Sequence, residues 1–402
     1  MYKAFKYRLY PNKQQEELIA KHIGCSRWVY NYGLNRKITS YQQDKKGISR
    51  FDIQKELPIL KKKEETKWLT EVNSLTLQSS LEHLDQAFTK FFRDKKGFPK
   101  FKSKHNGNQS FSVVQNTKVD FENNKVTLPK FKQPIKCIFS RKFEGVIKTS
   151  TVSRTTTGKY FISILVDVPK ELPLKKPIDE SQAIGIDLGI KSFAMLSNGI
   201  EIENPKHLRK SLRKLKRLQR KASKKKKGSN NRKKANRKVG LLYEKVTNQR
   251  KDFLHKTTHH LVTTYDTICL ETLKVSNMIK NHKLALSLSD VSIGKFNELI
   301  DYKSEWYGSN VLRIGQFEPS SKMCSCGVIN KELKLSDRKW TCKSCGTTHD
   351  RDLLASNNIK RFAFVKNKTT DGTSGSQACG ELNSLPKVSR SSKKQEASIP
   401  LG

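Results

Sequence analysis

Acidic residues are what this chain lacks most. Its 402 residues hold 37 Asp and Glu against 80 Lys and Arg, a formal net charge of +43. Between Asn204 and Tyr243 there is no acidic residue at all. Self-repulsion on that scale is hard to sustain in a compact protein unless a polyanion neutralises it. A surface charged only for solubility would mix both signs. Long apolar runs are also missing: none approaches the roughly 20 residues of a membrane-spanning helix, and MYKAFKYRLYPNK at the start has no signal-peptide core. Anionic lipid is therefore a poor candidate partner, and nucleic acid a good one. Apolar residues make up only 35%, enough for real cores if much of the basic sequence lies outside them. The eight cysteines are Cys25, Cys137, Cys269 and Cys379, which are scattered, and Cys324, Cys326, Cys342 and Cys345, which fall together. Without a secretory signal the expected setting is a reducing cytoplasm, where such a cluster points to metal before disulfide.

The length allows two or three domains. FKYRLY alternates aromatic and basic residues and reads as a strand, broken by Pro11 and Asn12. A helical pattern follows through QQEELIAKHI, with Trp28, Val29 and Tyr32 on a second helix. Leu77, Leu81, Leu84, Phe88 and Phe91 share one face of a helix near residues 75–92, a stripe that reads as core. GFPKFKSK (97–104) interleaves aromatic and basic residues, suiting either an ordered loop or stacking on nucleic acid. Residues 110–170 are short and β-like, and the proline-bearing ELPLKKPIDES reads as a linker into a new domain near residue 180. There AIGID, FAMLS, the turn pair Asn198-Gly199 and IEIEN suggest a strand and a meander. In the acid-free stretch that follows, Leu208, Leu212, Leu215 and Leu218 recur at helical spacing, so one face packs and the others are basic. No acid is present there to relieve the repulsion through intrahelical pairs, so phosphate is the expected counter-charge. A helix near 247–265 leads to the buried strand ICLE, and the tail beyond Phe364 is polar and reads as disordered.

Three carboxylates stand out against this basic background. Asp187 sits inside the apolar run AIGIDLGIKSF, Glu271 ends a strand, and Asp352 lies in HDRDLLASNNI at the start of a helical segment. A buried carboxylate needs a cation beside it, an arginine or a metal ion. Carboxylates distant in sequence and brought together by a fold suit a two-Mg²⁺ site for phosphodiester hydrolysis, since hard oxygen ligands match that ion. Cys342-Lys343-Ser344-Cys345 with a glycine following is a zinc half-site of the ribbon kind.

GIDLGIKSFAMLSNG, ICLETLKVSNMIKN and CGTTHDRD resemble the three RuvC motifs of the TnpB family, insertion-sequence proteins related to type V CRISPR effectors. YRLYPNKQQ, GCSRWVYNYGL, GFPKFKSK, LRKLKRLQRK, NQRKDFLHK and SSKMCSCG are similar to its other signatures, so the likeness covers nearly the whole chain. The resemblance implies an α/β multi-domain protein: an RNase H-like RuvC nuclease domain carrying an inserted zinc-ribbon finger, preceded by a β-barrel-like wedge domain with a helical recognition insertion. The boundaries expected are 1–180 for the wedge domain, with strands near 1–10 and 110–175 and the recognition lobe at about 12–108. The nuclease domain takes 181–320 and 347–365, the finger 321–346 and a disordered tail 366–402.

The activity implied is RNA-guided cutting of DNA beside a short flanking motif. Asp187, Glu271 and Asp352 would hold two Mg²⁺ ions, with Asp352 selected over Asp350 by the family register D-x-N-A-A. Leu354 stands where the asparagine is usual, and Ser356 where the second alanine is. Cys324, Cys326, Cys342 and Cys345 would hold a structural Zn²⁺, although Cys324-Ser325-Cys326 is one residue short of the family's C-x-x-C. Arg209, Arg213 and Arg217, on one helical face, are the candidate nucleic-acid contacts. The partners implied are a guide RNA from the transposon end and double-stranded target DNA, with no membrane and no protein partner required. The setting implied is the cytoplasm, at the nucleoid of a bacterium or archaeon. A weakened RNA-guided DNA binder and an unguided transposase are the alternative readings.

Overall fold

The computed structural model describes residues 1–105, 109–334 and 336–371. Two sheets organise it. In the first half, β1 (Tyr2–Tyr10) is followed by α1 (Lys13–Asp44), α2 (Arg50–Lys62), a 3₁₀ turn (Glu64–Glu71) and α3 (Ser74–Arg93). Then come β2 (Gln109–Val113), β3 (Lys118–Asp120), β4 (Lys125–Thr127), β5 (Ile135–Ile138), β6 (Val146–Arg154) and β7 (Tyr160–Asp167). These seven strands form one antiparallel sheet in the order β2-β6-β7-β1-β5-β4-β3. Period-two alternation in β7 buries Tyr160, Ile162, Ile164 and Val166. The sheet wraps around one core in which Phe5, Tyr7 and Leu9 meet Phe111, Val126 and Ile135, with Ile19 and Ile23 of α1 inserted.

Residues 13–44 form one uninterrupted helix, where the sequence suggested two. It starts on a capping box: Asn12 Oδ1 accepts from the Gln15 N–H at 2.9 Å and Gln15 Oε1 accepts from the Asn12 N–H at 3.0 Å. Gly24 has open space beside it and lies within the helix. The far part of α1 packs with α2 and α3 in a separate helical core around Val29, Ile53, Leu57, Leu77 and Leu81.

The second half comprises β8 (Ala183–Leu188), β9 (Ser192–Leu196), β10 (Glu201–Glu203), α4 (His207–Ser223), α5 (Asn230–Thr264) and β11 (Thr267–Glu271). It continues with α6 (Val275–Met278), α7 (His282–Val291), α8 (Ile293–Tyr307), β12 (Asn310–Ile314), β13 (Lys339–Thr341), β14 (Thr348–Asp350) and α9 (Arg351–Asp371). The larger sheet here has the order β10-β9-β8-β11-β12, antiparallel from β10 to β8 and parallel from β8 to β12. Both its faces are covered, as a parallel centre requires. Ile184, Ile186, Ile268 and Leu270 face α5, α7 and α8, whereas Ala183, Cys269 and Ile314 face Ile359, Ala363 and Phe364 of α9.

Helices α4 and α5 pack along each other, joined through Gly228 (φ 87°) and the Ser229 N-cap, so the basic stretch is a helical hairpin. Glu244 of α5 pairs with Lys159 at 3.0 Å and accepts from Thr157 Oγ1 at 2.9 Å, tying the hairpin to the β6–β7 turn. The linker is pinned too, with Lys176 Nζ 2.5 Å from Asp266 Oδ1. Helix α9 runs to Asp371, past the expected start of the disordered tail at 366, and the rest of that tail lies outside the described residues. No helix among the described residues is long and apolar enough to cross a membrane.

Candidate active site and its metal finger

Strand parity brings the three acids to one face. In β8, residues 183, 185 and 187 point toward α9, and in β11 so do 267, 269 and 271. The last paired residues are Ile186 and Leu270, so Asp187 and Glu271 follow side by side at the carboxyl ends of parallel strands about 4.8 Å apart. Asp352 arrives from above in the first turn of α9. Gly185 permits that approach: a Cβ there would lie 2.0 Å from the Ser356 carbonyl oxygen.

Each acid is held by a neighbour. Ser320 Oγ donates to Glu271 Oε1 at 2.5 Å, and the loop carrying Ser320 is gripped by buried Asn358 of α9, whose Nδ2 donates to the Ser320 and Met323 carbonyls at 2.7 Å each. Arg338 donates to both oxygens of Asp352, at 3.2 and 3.1 Å. Burial pushes the Asp187 carboxyl up to about 7; Glu271 and Asp352 add like-charge repulsion, and Arg351 and Arg338 pull the other way. Three carboxylates facing one notch, with Asp187 buried beside the other two, are a donor set suited to a hard divalent cation. Their oxygens do not all lie within 4.8 Å of one another. Two ions about 3.5–4 Å apart need a wider ligand set than that.

Asp350 has a different task. Its Oδ1 accepts from the backbone N–H groups of Asp352 and Leu353, both at 3.1 Å, which caps α9.

The finger between β12 and α9 brings the four cysteines together. Cys324, Cys326, Cys342 and Cys345 have all their Sγ atoms within 4.8 Å of one another, the only such metal-ligand group among the described residues. Cys324 and Cys345 are 3.5 Å apart and Cys326 and Cys342 3.7 Å. A zinc tetrathiolate with bonds of 2.3 Å has edges of about 3.8 Å, so the donor set fits that ion. The shortened Cys324-Ser325-Cys326 bite therefore does not keep its thiols out of the group. His349 Nε2 lies 3.0 Å from Cys324 Sγ. The Thr347 hydroxyl, helped by the Thr347 backbone N–H, lowers the Cys345 thiol to about 6.

Along α4 a shallow groove is lined by eight cations, Arg213 and Arg217 among them. Arg209 is exposed but lies outside that groove. Its backbone N–H and that of Leu208 donate to the buried carboxylate of Asp290 at 3.1 and 3.0 Å, because Lys206 at the N-cap offers no side-chain cap.

A family model described as "Probable transposase" (OrfB of IS605) matches residues 163–282. A Streptomyces pristinaespiralis protein named "Putative RNA-guided DNA endonuclease" is 38% identical over 373 residues, covering 92% of this chain and 91% of the relative. The chain belongs to the TnpB family. An Escherichia coli (strain K12) relative, "Putative RNA-guided DNA endonuclease InsQ", is 34% identical and covers 89% of this chain and 91% of its own. A Cas12f1–sgRNA–target DNA complex has the same overall fold, with a TM-score of 0.54 at 16% identity over 90% of this chain and 98% of that one. Two further models match: a Cas12f1-like TNB domain at 294–359 and a "Helix-turn-helix domain" at 1–46. In this TnpB protein residues 1–46 form a strand and one long helix rather than two helices about a turn.

Sequence reasoning missed Arg338, Ser320 and Asn358. Nothing in their spacing marks them, since their partners lie 14 to 49 residues away.

Proposed function

We propose that this TnpB protein is an RNA-guided DNA endonuclease of a transposable element, cutting target DNA beside a short flanking motif. The observation that carries the reading is the meeting of Asp187, Glu271 and Asp352 on the α9 face of the mixed sheet. The β10-β9-β8-β11-β12 sheet with α9 is assigned as the RuvC-like nuclease domain, at 181–320 and 347–365. The curled seven-stranded sheet is assigned as the wedge domain, with the helices of 12–108 as the recognition lobe. The cysteine finger, 321–346, is assigned as a Zn²⁺-stabilised element beside the cut strand.

Asp187, Glu271 and Asp352 are the residues that would hold Mg²⁺, which when bound supplies Lewis acidity toward the phosphate and the attacking water. The rest is the work of the chain itself. Ser320 fixes the rotamer of Glu271, Asp350 caps the helix that presents Asp352, and Gly185 lets that helix seat on the sheet. Arg338 stands within reach of any phosphate lying on Asp352. The groove of α4, with Arg213 and Arg217, offers fixed positive charge to a polynucleotide backbone, and base pairing reads the sequence. The partners are a guide RNA from the transposon end and double-stranded DNA, met in the cytoplasm of a bacterial or archaeal cell.

One observation favours a second reading, a guided binder that does not cut: Arg338 engages both oxygens of Asp352. A single assay separates the two. Protein purified with its RNA is incubated with Mg²⁺ and a plasmid carrying the matching target. Cleavage that disappears in Asp187→Ala, with target binding kept, supports the endonuclease. Tight binding with no cleavage by the unmodified chain supports the binder, and absence of any co-purified RNA refutes both.

A further inference from the structure

The exposed end of α3 and the loop after it form a patch that the nuclease site does not use. Four phenylalanine rings make a continuous array. Phe88 and Phe92 are stacked at 6.2 Å, Phe91 meets Phe92 edge-on at 5.0 Å, and Phe98 folds back edge-on against Phe88 at 5.5 Å and Phe91 at 5.3 Å. This is not a core. Phe92 is 73% exposed, Phe98 47% and Phe101 54%. Exposed apolar rings on this scale, clustered rather than scattered, mark a binding surface.

The setting of the patch says what binds. From Lys90 to Lys104 the chain has seven Lys and Arg and one acid, Asp94. A protein partner's apolar face would gain nothing from seven cations, whereas a polynucleotide pairs its phosphates with them and its bases with the rings. The loop is also prebuilt. Asn31 holds Lys102 through two amide hydrogen bonds, Nδ2 to the Lys102 carbonyl at 2.9 Å and the Lys102 N–H to Oδ1 at 2.7 Å, and the Lys102 ammonium sits 4.0 Å above the Tyr30 ring. A fixed loop keeps Phe98 against the α3 rings, so the platform costs little to order on binding. Duplex DNA and a heteroduplex keep their bases stacked inside. A folded RNA offers unpaired bases at loops, bulges and ends before any target is bound, whereas a displaced DNA strand exists only afterwards, and unpaired bases are what aromatic side chains capture.

We propose that the Phe88, Phe91, Phe92 and Phe98 platform stacks an unpaired base of the bound RNA, with Lys95, Lys96 and Lys100 holding the flanking phosphates. The inference rests on the RNA-guided reading above.

Its test uses the full chain with its RNA bearing 4-thiouridine, together with Phe92→Leu, Phe92→Trp and a Phe92→Leu/Phe98→Leu double variant. Leucine keeps apolar bulk and removes the π-face, and the exposure of both rings keeps the variants folded. Crosslinking is expected between the 90–102 peptide and one RNA nucleotide. RNA affinity should drop roughly five- to tenfold in the double variant, the lower part of the range for one stacked base, and hold in Phe92→Trp, while affinity for free duplex DNA stays unchanged. Equal RNA affinity in the leucine variants, or no crosslink from this peptide to the RNA while target DNA bearing 4-thiothymidine does crosslink to it, overturns the platform. If the unmodified chain binds no RNA, the RNA-guided reading itself fails.

Discussion

A single methyl group should separate seating of α9 from every other property of this protein. Gly185 lies on the β8 face turned toward α9, and a Cβ there would stand 2.0 Å from the Ser356 carbonyl oxygen, 2.9 Å from Lys360 Cβ and 3.0 Å from Lys360 N. Two of these atoms are backbone, so no rotamer change relieves the clash. For the closest contact to reach even 3.0 Å, α9 must withdraw by at least about 1 Å. That helix carries Asp352 in its first turn, Leu354 into the finger and Asn358 into the loop of Ser320. Overpacking of this kind costs about 1–3 kcal/mol, and a 1 Å misplacement of a reacting group costs about 100-fold in rate. Gly185→Ala is therefore expected to cut target DNA about 100-fold more slowly and to melt at lower temperature, with RNA affinity unchanged. Gly24→Ala is the matched control. It lies mid-helix in α1 with open space beside it, and should stabilise the fold by up to about 1 kcal/mol. A Gly185→Ala protein that cuts and melts like the unmodified chain would refute the seating argument.

Three further outcomes are expected. Because burial and its acidic neighbours raise Asp187 to about 7, the metal-free folded chain keeps a proton that the unfolded chain loses near pH 4. That contribution to stability is full below about pH 4 and lost as pH rises through about 7, so in EDTA Asp187→Asn should melt higher than the unmodified chain at pH 8. An equal melting temperature there, by scanning fluorimetry, counts against it. Zinc removal or Cys345→Ser should open the finger core in which buried Trp340 sits with Cys324 and Cys342; the readout is a red shift of emission that is absent in Trp340→Phe. Neutralising Arg213, Lys214 and Arg217 to Gln removes three charges from the α4 groove, which should flatten the slope of log affinity against log salt by roughly 2–3; an unchanged slope places the polynucleotide elsewhere.

What the sequence revealed was local and periodic. The strand FKYRLY, the Asn198-Gly199 turn, the ICLE strand ending in Glu271 and the leucine spacing of α4 each depend on neighbours within one element, and each stands where it was expected. The choice of Asp352 over Asp350 came from the register of the family motif it resembles; the structure adds that Asp350 is engaged in capping. The helix boundaries were less legible: α1 is one helix where two were expected, and α5 begins at Asn230 rather than near 247, after the Gly228 turn within the basic stretch. The Arg338–Asp352 and Ser320–Glu271 contacts are tertiary, so no spacing pattern signals them.

The two departures from the TnpB pattern, Leu354 in place of asparagine and the shortened Cys324–Cys326 pair, look from the sequence like independent losses. In the fold they touch. Leu354, 7% exposed, packs in one cluster with Cys324, Cys342 and Trp340, with Leu333 at its edge. An asparagine there would place an amide against an indole and thiols, and an unpartnered buried amide costs about 1–3 kcal/mol. Leucine instead contributes apolar area to a finger too small to build a core of its own. The first turn of α9 thus belongs to the finger core through Leu354, to the acidic site through Asp352, and to the sheet through Ser356 at Gly185. Anything that loosens the cysteine cluster must therefore act on Asp352 through a helix turn only a few residues long, which couples integrity of the finger to geometry of the acids.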